Sequence, residues 1–103
     1  MNDKVIATGN VAVITGAAKG IGAAAARELA RKGMKLCLFD RNRQALEQLV
    51  GDLATETLLV TGDITRHEYQ LQLKDTVYST WGKVNLLFNN AGVKIAAGAC
   101  DSP

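Results

Sequence analysis

The stretch that decides the fold is VITGAAKGIG, residues 13–22, in which an apolar run passes through three glycines into an alanine-rich segment. Gly16 can adopt a turn conformation that is closed to other residues, and Gly20 and Gly22 carry no side chain to keep a ligand away from the backbone. If a helix begins here, its first N–H groups lack partners inside the helix, and the helix dipole adds about half a positive charge. The stretch therefore predicts a strand, a loop and a helix start that suits an anion, with a plain tight turn as the alternative.

On both sides of this stretch, short apolar runs alternate with segments of helical pattern, which predicts βαβ units and a parallel sheet. The four predicted strands are VAVIT, KLCLFD, TLLVTGD and VNLLFNNAG, at residues 11–15, 35–40, 57–63 and 84–92. The three predicted helices occupy residues 20–33, 41–54 and 65–81. Gly33 is well placed to end the first helix, and Thr65 and Glu68 have the spacing of a capping box at the start of the third.

Right-handed crossovers place consecutive strands side by side, so we expect a Rossmann-like, doubly wound parallel sheet with strand order 3-2-1-4. All four strands then end at one edge of the sheet. The glycine stretch, Asp40, Asp63 and residues 89–92 each follow a different strand and meet at this edge. The clustering predicts a nucleotide site there. The alternatives are structural, because Asp63 after Gly62, and the asparagines of 89–92, could simply form turns.

Charge and cysteine content narrow the classes of function. Twelve Lys and Arg residues against ten Asp and Glu residues are interspersed along 103 residues, so we expect neither a nucleic-acid nor a membrane partner. Cys37 and Cys100 form no Cys-x-x-Cys pair, which argues against a metal cluster or a disulfide scaffold and favours a buried thiol at Cys37. No apolar run approaches the roughly 18 residues of a membrane span. We therefore expect a soluble, cytoplasmic protein.

Two motifs resemble those of the short-chain dehydrogenase/reductase family. TGAAKGIG, residues 15–22, is similar to the family's Thr-Gly-x-x-x-Gly-x-Gly motif, and NNAG, residues 89–92, is similar to its Asn-Asn-Ala-Gly motif. Asp63-Ile64 after the third strand also matches the family pattern. The resemblance covers nearly the whole chain up to Gly92. It implies an oxidoreductase that moves a hydride between a nicotinamide cofactor and an alcohol or carbonyl substrate, and that forms a homo-oligomer when full length.

The resemblance also implies roles for single residues. The residues implied to line the pyrophosphate are Gly16, Gly20, Ile21 and Gly22. Asp63 and Ile64 are implied to meet the adenine edge, since a carboxylate can accept from the exocyclic amine while a backbone N–H donates to the ring. The residues implied to close over the adenosine ribose are Asn90, Ala91 and Gly92.

The choice between NAD and NADP depends on the charges near the end of the second strand. Asp40 stands where an acid can accept from both ribose hydroxyls of NAD and would repel the 2′-phosphate of NADP. Lys19 and Arg41 resemble positions where NADP-dependent members carry bases, although both could equally be solvated charges. Like charges about 4 Å apart repel by about 4 kcal/mol at an effective dielectric near 20. This repulsion exceeds the attraction that exposed cations typically contribute. The sequence therefore favours NAD and leaves NADP open.

Hydride transfer in this family relies on a Tyr-x-x-x-Lys pair and a serine, with the tyrosine as general acid or base. The 103 residues lack this pair, because Tyr69 and Tyr78 are each followed by lysine only at the fifth position. No catalytic residue is therefore assigned, and His67 is expected to be a solvated ring. We expect residues 1–92 to form a cofactor-binding half-domain and residues 93–103 an irregular tail, in a chain cut short before the catalytic half and inactive alone.

Two other classes of function remain open. A non-catalytic dinucleotide-binding or interaction fragment would use the fourth strand as an open edge. A methyltransferase could use acids after the second and third strands for S-adenosylmethionine. Against the methyltransferase, Thr15 precedes the glycines where that class usually presents an acid, and the NNAG motif would be unexplained.

Overall fold

A computed structural model of the chain describes residues 5–18 and 20–90. The elements in chain order are β1 (Val11–Thr15), α1 (Gly20–Arg31), β2 (Lys35–Asp40), α2 (Arg43–Val50), β3 (Thr57–Thr61), α3 (His67–Trp81) and β4 (Leu86–Asn89). The predicted alternation of strands and helices is confirmed, although β3, β4 and the three helices are shorter than expected. Within the described ranges, no helix is both long enough and apolar enough to cross a membrane.

The four strands form one parallel sheet in the order β3-β2-β1-β4, which confirms the predicted topology. β1 lies inside the sheet, with Thr15 opposite Phe39 of β2 on one side and opposite Asn89 of β4 on the other. All five β1 residues are buried, because strands flank β1 on both sides and helices cover both faces. The register brings the loop after β1 between the carboxyl ends of β2 and β4.

The helices divide between the two faces of the sheet. On one face, α1 and α2 bury Ala26, Leu29, Leu46 and Leu49 against Ile14, Leu36 and Leu38. On the other face, α3 is the one described helix, and it buries Leu73 and Val77 against Val13, Cys37, Phe39 and Val60. The Cys37 side chain is buried, as expected. β4 is an edge strand, and its Leu87 is exposed.

The ends of the helices agree with the sequence in one case and disagree in another. Gly33 follows α1 with φ +83°, and the Met34 N–H donates to the Leu29 carbonyl at 3.2 Å, so the glycine stop is confirmed. The capping box at Thr65 and Glu68 is wrong. α3 begins at His67 after Arg66, which makes no side-chain cap. The Thr65 hydroxyl donates to Asp63 instead, because that carboxylate is a charged acceptor only two residues away.

Candidate functional site

A cleft of about 230 Å³ opens where the strands end. Its lining residues are Gly16, Phe39, Asp40, Arg41, Asp63, Ile64 and Thr65. Five of these seven are candidates named from the sequence, and they follow three different strands. The parallel sheet brings them together because β1, β2 and β3 all end at this edge.

The glycine loop uses its three glycines for different physical reasons. Gly16 and Gly20 have φ +65° and +62°, in the left-handed region that disfavours a Cβ atom. A Cβ at Gly20 would meet nothing within 4 Å, so its backbone conformation, not crowding, requires glycine there. A Cβ at Gly22 would overlap the Gly16 carbonyl oxygen and lie 3.0 Å from the Asn90 amide nitrogen. Gly22 therefore lets the first turn of α1 pack directly against the loop.

The start of α1 offers donors and positive potential at this edge. Gly20 is the first residue of the helix, and the first four N–H groups of any α-helix have no partner inside it. The first turn of α1 contains no acidic residue that would offset the dipole. Ile21 directly follows Gly20 and is 69% exposed, although apolar. The geometry suits an anion close to the helix start.

The end of β2 holds the glycine loop in place. One carboxylate oxygen of Asp40 accepts a hydrogen bond from the Ala18 N–H at 3.0 Å, and the other accepts from the Asn42 N–H at 3.0 Å. The Ala17 N–H donates to the Phe39 carbonyl at 3.1 Å. Asp40 thus fixes the loop as well as lining the cleft, a second role that sequence reasoning did not find.

The end of β4 holds the same loop from the opposite side. The Asn90 amide donates to the Gly16 carbonyl at 3.2 Å, and the Thr15 hydroxyl donates to the Asn89 amide oxygen at 2.8 Å. The turn alternative for these asparagines is also present, since the Asn90 N–H donates to the Phe88 carbonyl at 3.1 Å. Neither asparagine lines the cleft. In the described part of the chain, their contacts with the glycine loop are structural.

Asp63 forms a local turn and lines the cleft at the same time. One of its carboxylate oxygens accepts from the Thr65 hydroxyl at 2.6 Å and from the Thr65 N–H at 3.0 Å. These two hydrogen bonds, with smaller contributions from the Arg41 and Arg66 charges, outweigh desolvation and hold the pKa of Asp63 below its ordinary value of 3.8. The group is therefore a charged acceptor at neutral pH.

The other sequence candidates either lie outside the described residues or do not line the cleft. Lys19, Ala91 and Gly92 lie outside the described residues, as does Cys100. Gly20, Ile21 and Gly22 belong to the helix start, next to the cleft lining in the chain but not part of it. Tyr69 and Tyr78 are partly buried against the α3 side of the core, and His67 is exposed, as expected.

Sequence reasoning missed Thr65 and Gln70. Thr65 stands two residues after Asp63, a spacing typical of side-chain turns, but the capping-box interpretation took precedence. Gln70 lies three residues before Leu73 on the apolar stripe of α3, and its amide donates to the Ile64 carbonyl at 2.7 Å. A polar residue on an apolar stripe is a signal of a buried hydrogen bond that could have been read in advance.

Comparison with known proteins yields one consistent family. A family model described as short chain dehydrogenase matches residues 10–102. A short-chain dehydrogenase/reductase of Pestalotiopsis microspora is 34% identical over 89 residues, which are 82% of this chain and 34% of that protein. The chain thus spans about a third of the length of this relative.

Solved structures give the same result for the fold. NAD⁺-bound xylitol dehydrogenase is similar with a TM-score of 0.79 and 37% identity over 84% of this chain and 34% of its own. L-sorbose reductase from Gluconobacter frateurii, solved with NADPH and L-sorbose, is similar with a TM-score of 0.76 and 33% identity over 84% of this chain and 35% of its own. The arrangement of the described strands and helices is therefore that of a partial fold of this kind.

Proposed function

The chain belongs to the short chain dehydrogenase family, and from that premise we propose that it is the NAD-binding part of an oxidoreductase. The observation that carries the proposal is the cleft at which Gly16, Asp40 and Asp63 meet at the ends of three parallel strands. A bound nicotinamide dinucleotide supplies the carbon that accepts or donates a hydride. The residues of this chain bind and orient that cofactor.

Each part of the dinucleotide has a chemically suitable partner. The pyrophosphate would bind at the start of α1, whose first N–H groups have no partner inside the helix. Asp40 would accept from the ribose hydroxyls: its carboxylate accepts two backbone N–H groups, and two carboxylate oxygens offer about four lone-pair positions. Asp63 would accept from the adenine amine, and the Ile64 N–H would donate to the ring. The described residues therefore fit the group.

The charges in the cleft favour NAD over NADP. A 2′-phosphate beside the adenosine ribose would lie close to Asp40, whose charge repels it by about 4 kcal/mol at about 4 Å and an effective dielectric near 20. Arg41 also lines the cleft, but its charge acts on Asp63 and it is exposed. An exposed pair typically returns about 1 kcal/mol or less, so Arg41 does not offset the repulsion.

We further propose that the remaining chemistry needs residues outside this chain. The chain would supply a cofactor-binding half-domain, and the tyrosine–lysine pair would lie in a part of the protein that its relatives have and this chain does not span. We also propose an alcohol or carbonyl substrate, a homo-oligomer of the full-length enzyme and a cytoplasmic location.

Calorimetric titration with NAD, NADP and S-adenosylmethionine tests the proposed function. We expect NAD to bind more tightly than NADP, and S-adenosylmethionine not to compete with NAD. Preferential binding of S-adenosylmethionine would contradict the dinucleotide site. In a second assay, the chain is incubated with NAD and an alcohol such as xylitol while absorbance of the reduced cofactor is followed. Turnover by the chain alone would contradict the proposed division of the enzyme.

A further inference from the structure

We propose that Gln70 is a positioning residue for adenine recognition, because its side-chain amide fixes the peptide group that orients the Asp63 carboxylate. The inference rests on the proposed function and deepens it. Gln70 lies on α3, behind the turn that follows β3, and does not line the cleft. Its effect on the cofactor therefore has to pass through the turn.

The first link is the hydrogen bond of the Gln70 amide. Gln70 is 5% exposed and shares the buried stripe of α3 with Leu73 and Val77. Its Nε2 atom lies 2.7 Å from the Ile64 carbonyl oxygen. Because a carbonyl oxygen only accepts hydrogen bonds, the facing atom of Gln70 has to be the amide nitrogen. A buried amide is costly unless it is paired, so this bond gives a physical reason for a glutamine on an otherwise apolar face.

The second link is the planarity of the peptide bond. The Ile64 carbonyl and the Thr65 N–H belong to one peptide group, so a rotation of the carbonyl rotates the N–H with it. The Thr65 N–H donates to the Asp63 carboxylate at 3.0 Å. Gln70 therefore holds the carbonyl end of a rigid peptide plane whose N–H end donates to the Asp63 carboxylate.

A neighbouring residue of α3 fixes the turn from the same side. A Cβ at Gly62 would overlap the ring of Tyr69, so the ring packs directly on the backbone of the residue before Asp63. The first turn of α3 thus supports the 62–65 turn at two points, through the Tyr69 ring and the Gln70 amide. Both contacts restrict where the Asp63 carboxylate lies.

A pair of ligands separates this positioning role from a general structural one. Nicotinamide hypoxanthine dinucleotide differs from NAD at the adenine edge, where an oxygen replaces the exocyclic amine and the adjacent ring nitrogen carries a proton. A correctly placed Asp63 accepts from the amine of NAD and repels the oxygen of the analogue. For a hydrogen bond to a charged group, we expect wild type to favour NAD by about tenfold or more.

The test compares two isosteric variants in the full chain by calorimetry with both ligands. Gln70→Met keeps the length of the side chain and removes the donor, whereas Gln72→Met makes the same change at an exposed position two residues away. We expect the preference for NAD to fall below about threefold in Gln70→Met and to stay at its wild-type value in Gln72→Met. An unchanged preference in Gln70→Met, or equal weakening of both ligands, would overturn the inference.

The remaining outcomes separate the inference from the proposed function. Wild type that binds NAD and the analogue equally would remove the role of Asp63 and Gln70 and leave the dinucleotide site standing. Wild type that binds neither would remove the proposed function together with the inference. If Gln70→Met does not fold, hydrogen exchange of the side-chain amides in wild type tests the buried hydrogen bond instead. We expect slow exchange at Gln70 and fast exchange at Gln72. Equally fast exchange at both would refute the buried hydrogen bond.

Discussion

Replacement of Asp40 by asparagine should weaken the glycine loop and change the choice of cofactor, and the two effects can be measured separately. The carboxylate accepts from the Ala18 N–H through one oxygen and from the Asn42 N–H through the other, each at 3.0 Å. Asparagine has the same shape but only one oxygen. Whichever way its amide is turned, one of the two N–H groups faces an NH₂ group that cannot accept.

The structure sets the size of both effects. Loss of one hydrogen bond to a charged acceptor costs about 1.5–3 kcal/mol, and we take the lower end because Asp40 is only partly buried. For a chain of this size, each kcal/mol lowers Tm by about 4–8 °C. Loss of one hydrogen bond between residue 40 and the ribose should weaken NAD binding by about tenfold or more. NADP binding should weaken less or improve, because the repulsion of about 4 kcal/mol at 4 Å disappears.

Calorimetric titrations of NAD and NADP, with thermal unfolding in parallel, distinguish the two effects. Asp75→Asn is the control, since Asp75 is an exposed acid on α3 outside the cleft lining. The same fold-loss for NAD and NADP in Asp40→Asn would refute contact with the ribose and leave only the role in the loop. An unchanged Tm would refute the two hydrogen bonds as contributors to stability.

Two further predictions concern the loop and the turn. Gly22→Ala should destabilise the chain by about 1–3 kcal/mol, because the new Cβ overlaps the Gly16 carbonyl. Gly51→Ala is the control and should change Tm far less, since Gly51 has φ −58° and the nearest contact of its new Cβ is 3.3 Å. Equal shifts in Tm would contradict the close packing at Gly22. Because Thr65 lowers the pKa of Asp63 in the folded chain, this carboxylate stabilises the fold above pH 3.8, its ordinary pKa. That stabilisation is lost as the pH falls through the lowered pKa of the folded state. Thr65→Val should raise that pKa in an NMR titration, and an unchanged value would refute the hydroxyl contact.

Much of the fold could be predicted because its signals are local. Apolar runs and helical stripes specify the elements, and right-handed crossovers leave strand order 3-2-1-4 as the natural arrangement. The capping-box prediction failed because another local contact, with Asp63, competes for the same groups of Thr65. In a capping box the Thr65 hydroxyl would accept from the Glu68 N–H and the Thr65 N–H would donate to the Glu68 carboxylate. In the structure, the hydroxyl and the N–H of Thr65 both donate to the Asp63 carboxylate instead.

The candidate site could be predicted only in part. Gly16, Asp40, Arg41, Asp63 and Ile64 were expected at one edge, and the structure brings all five to one cleft. Which atoms of these residues already form hydrogen bonds within the protein was not predictable, because a strand end indicates where a side chain lies and not its hydrogen-bond partner. For Gln70, the helix pattern indicates a buried hydrogen bond but does not identify its acceptor, the Ile64 carbonyl.

By itself, the sequence determined the order of the elements, the family and the edge of the sheet at which the glycines and acids collect, because each depends on residue type and spacing along the chain. Only the tertiary structure decided how that edge is held together. Asp40 reaches Ala18 across 22 residues, and Asn90 reaches Gly16 across 74. Contacts of this kind depend on strand register and on the direction of individual hydrogen bonds, which exist only once β1, β2 and β4 lie side by side.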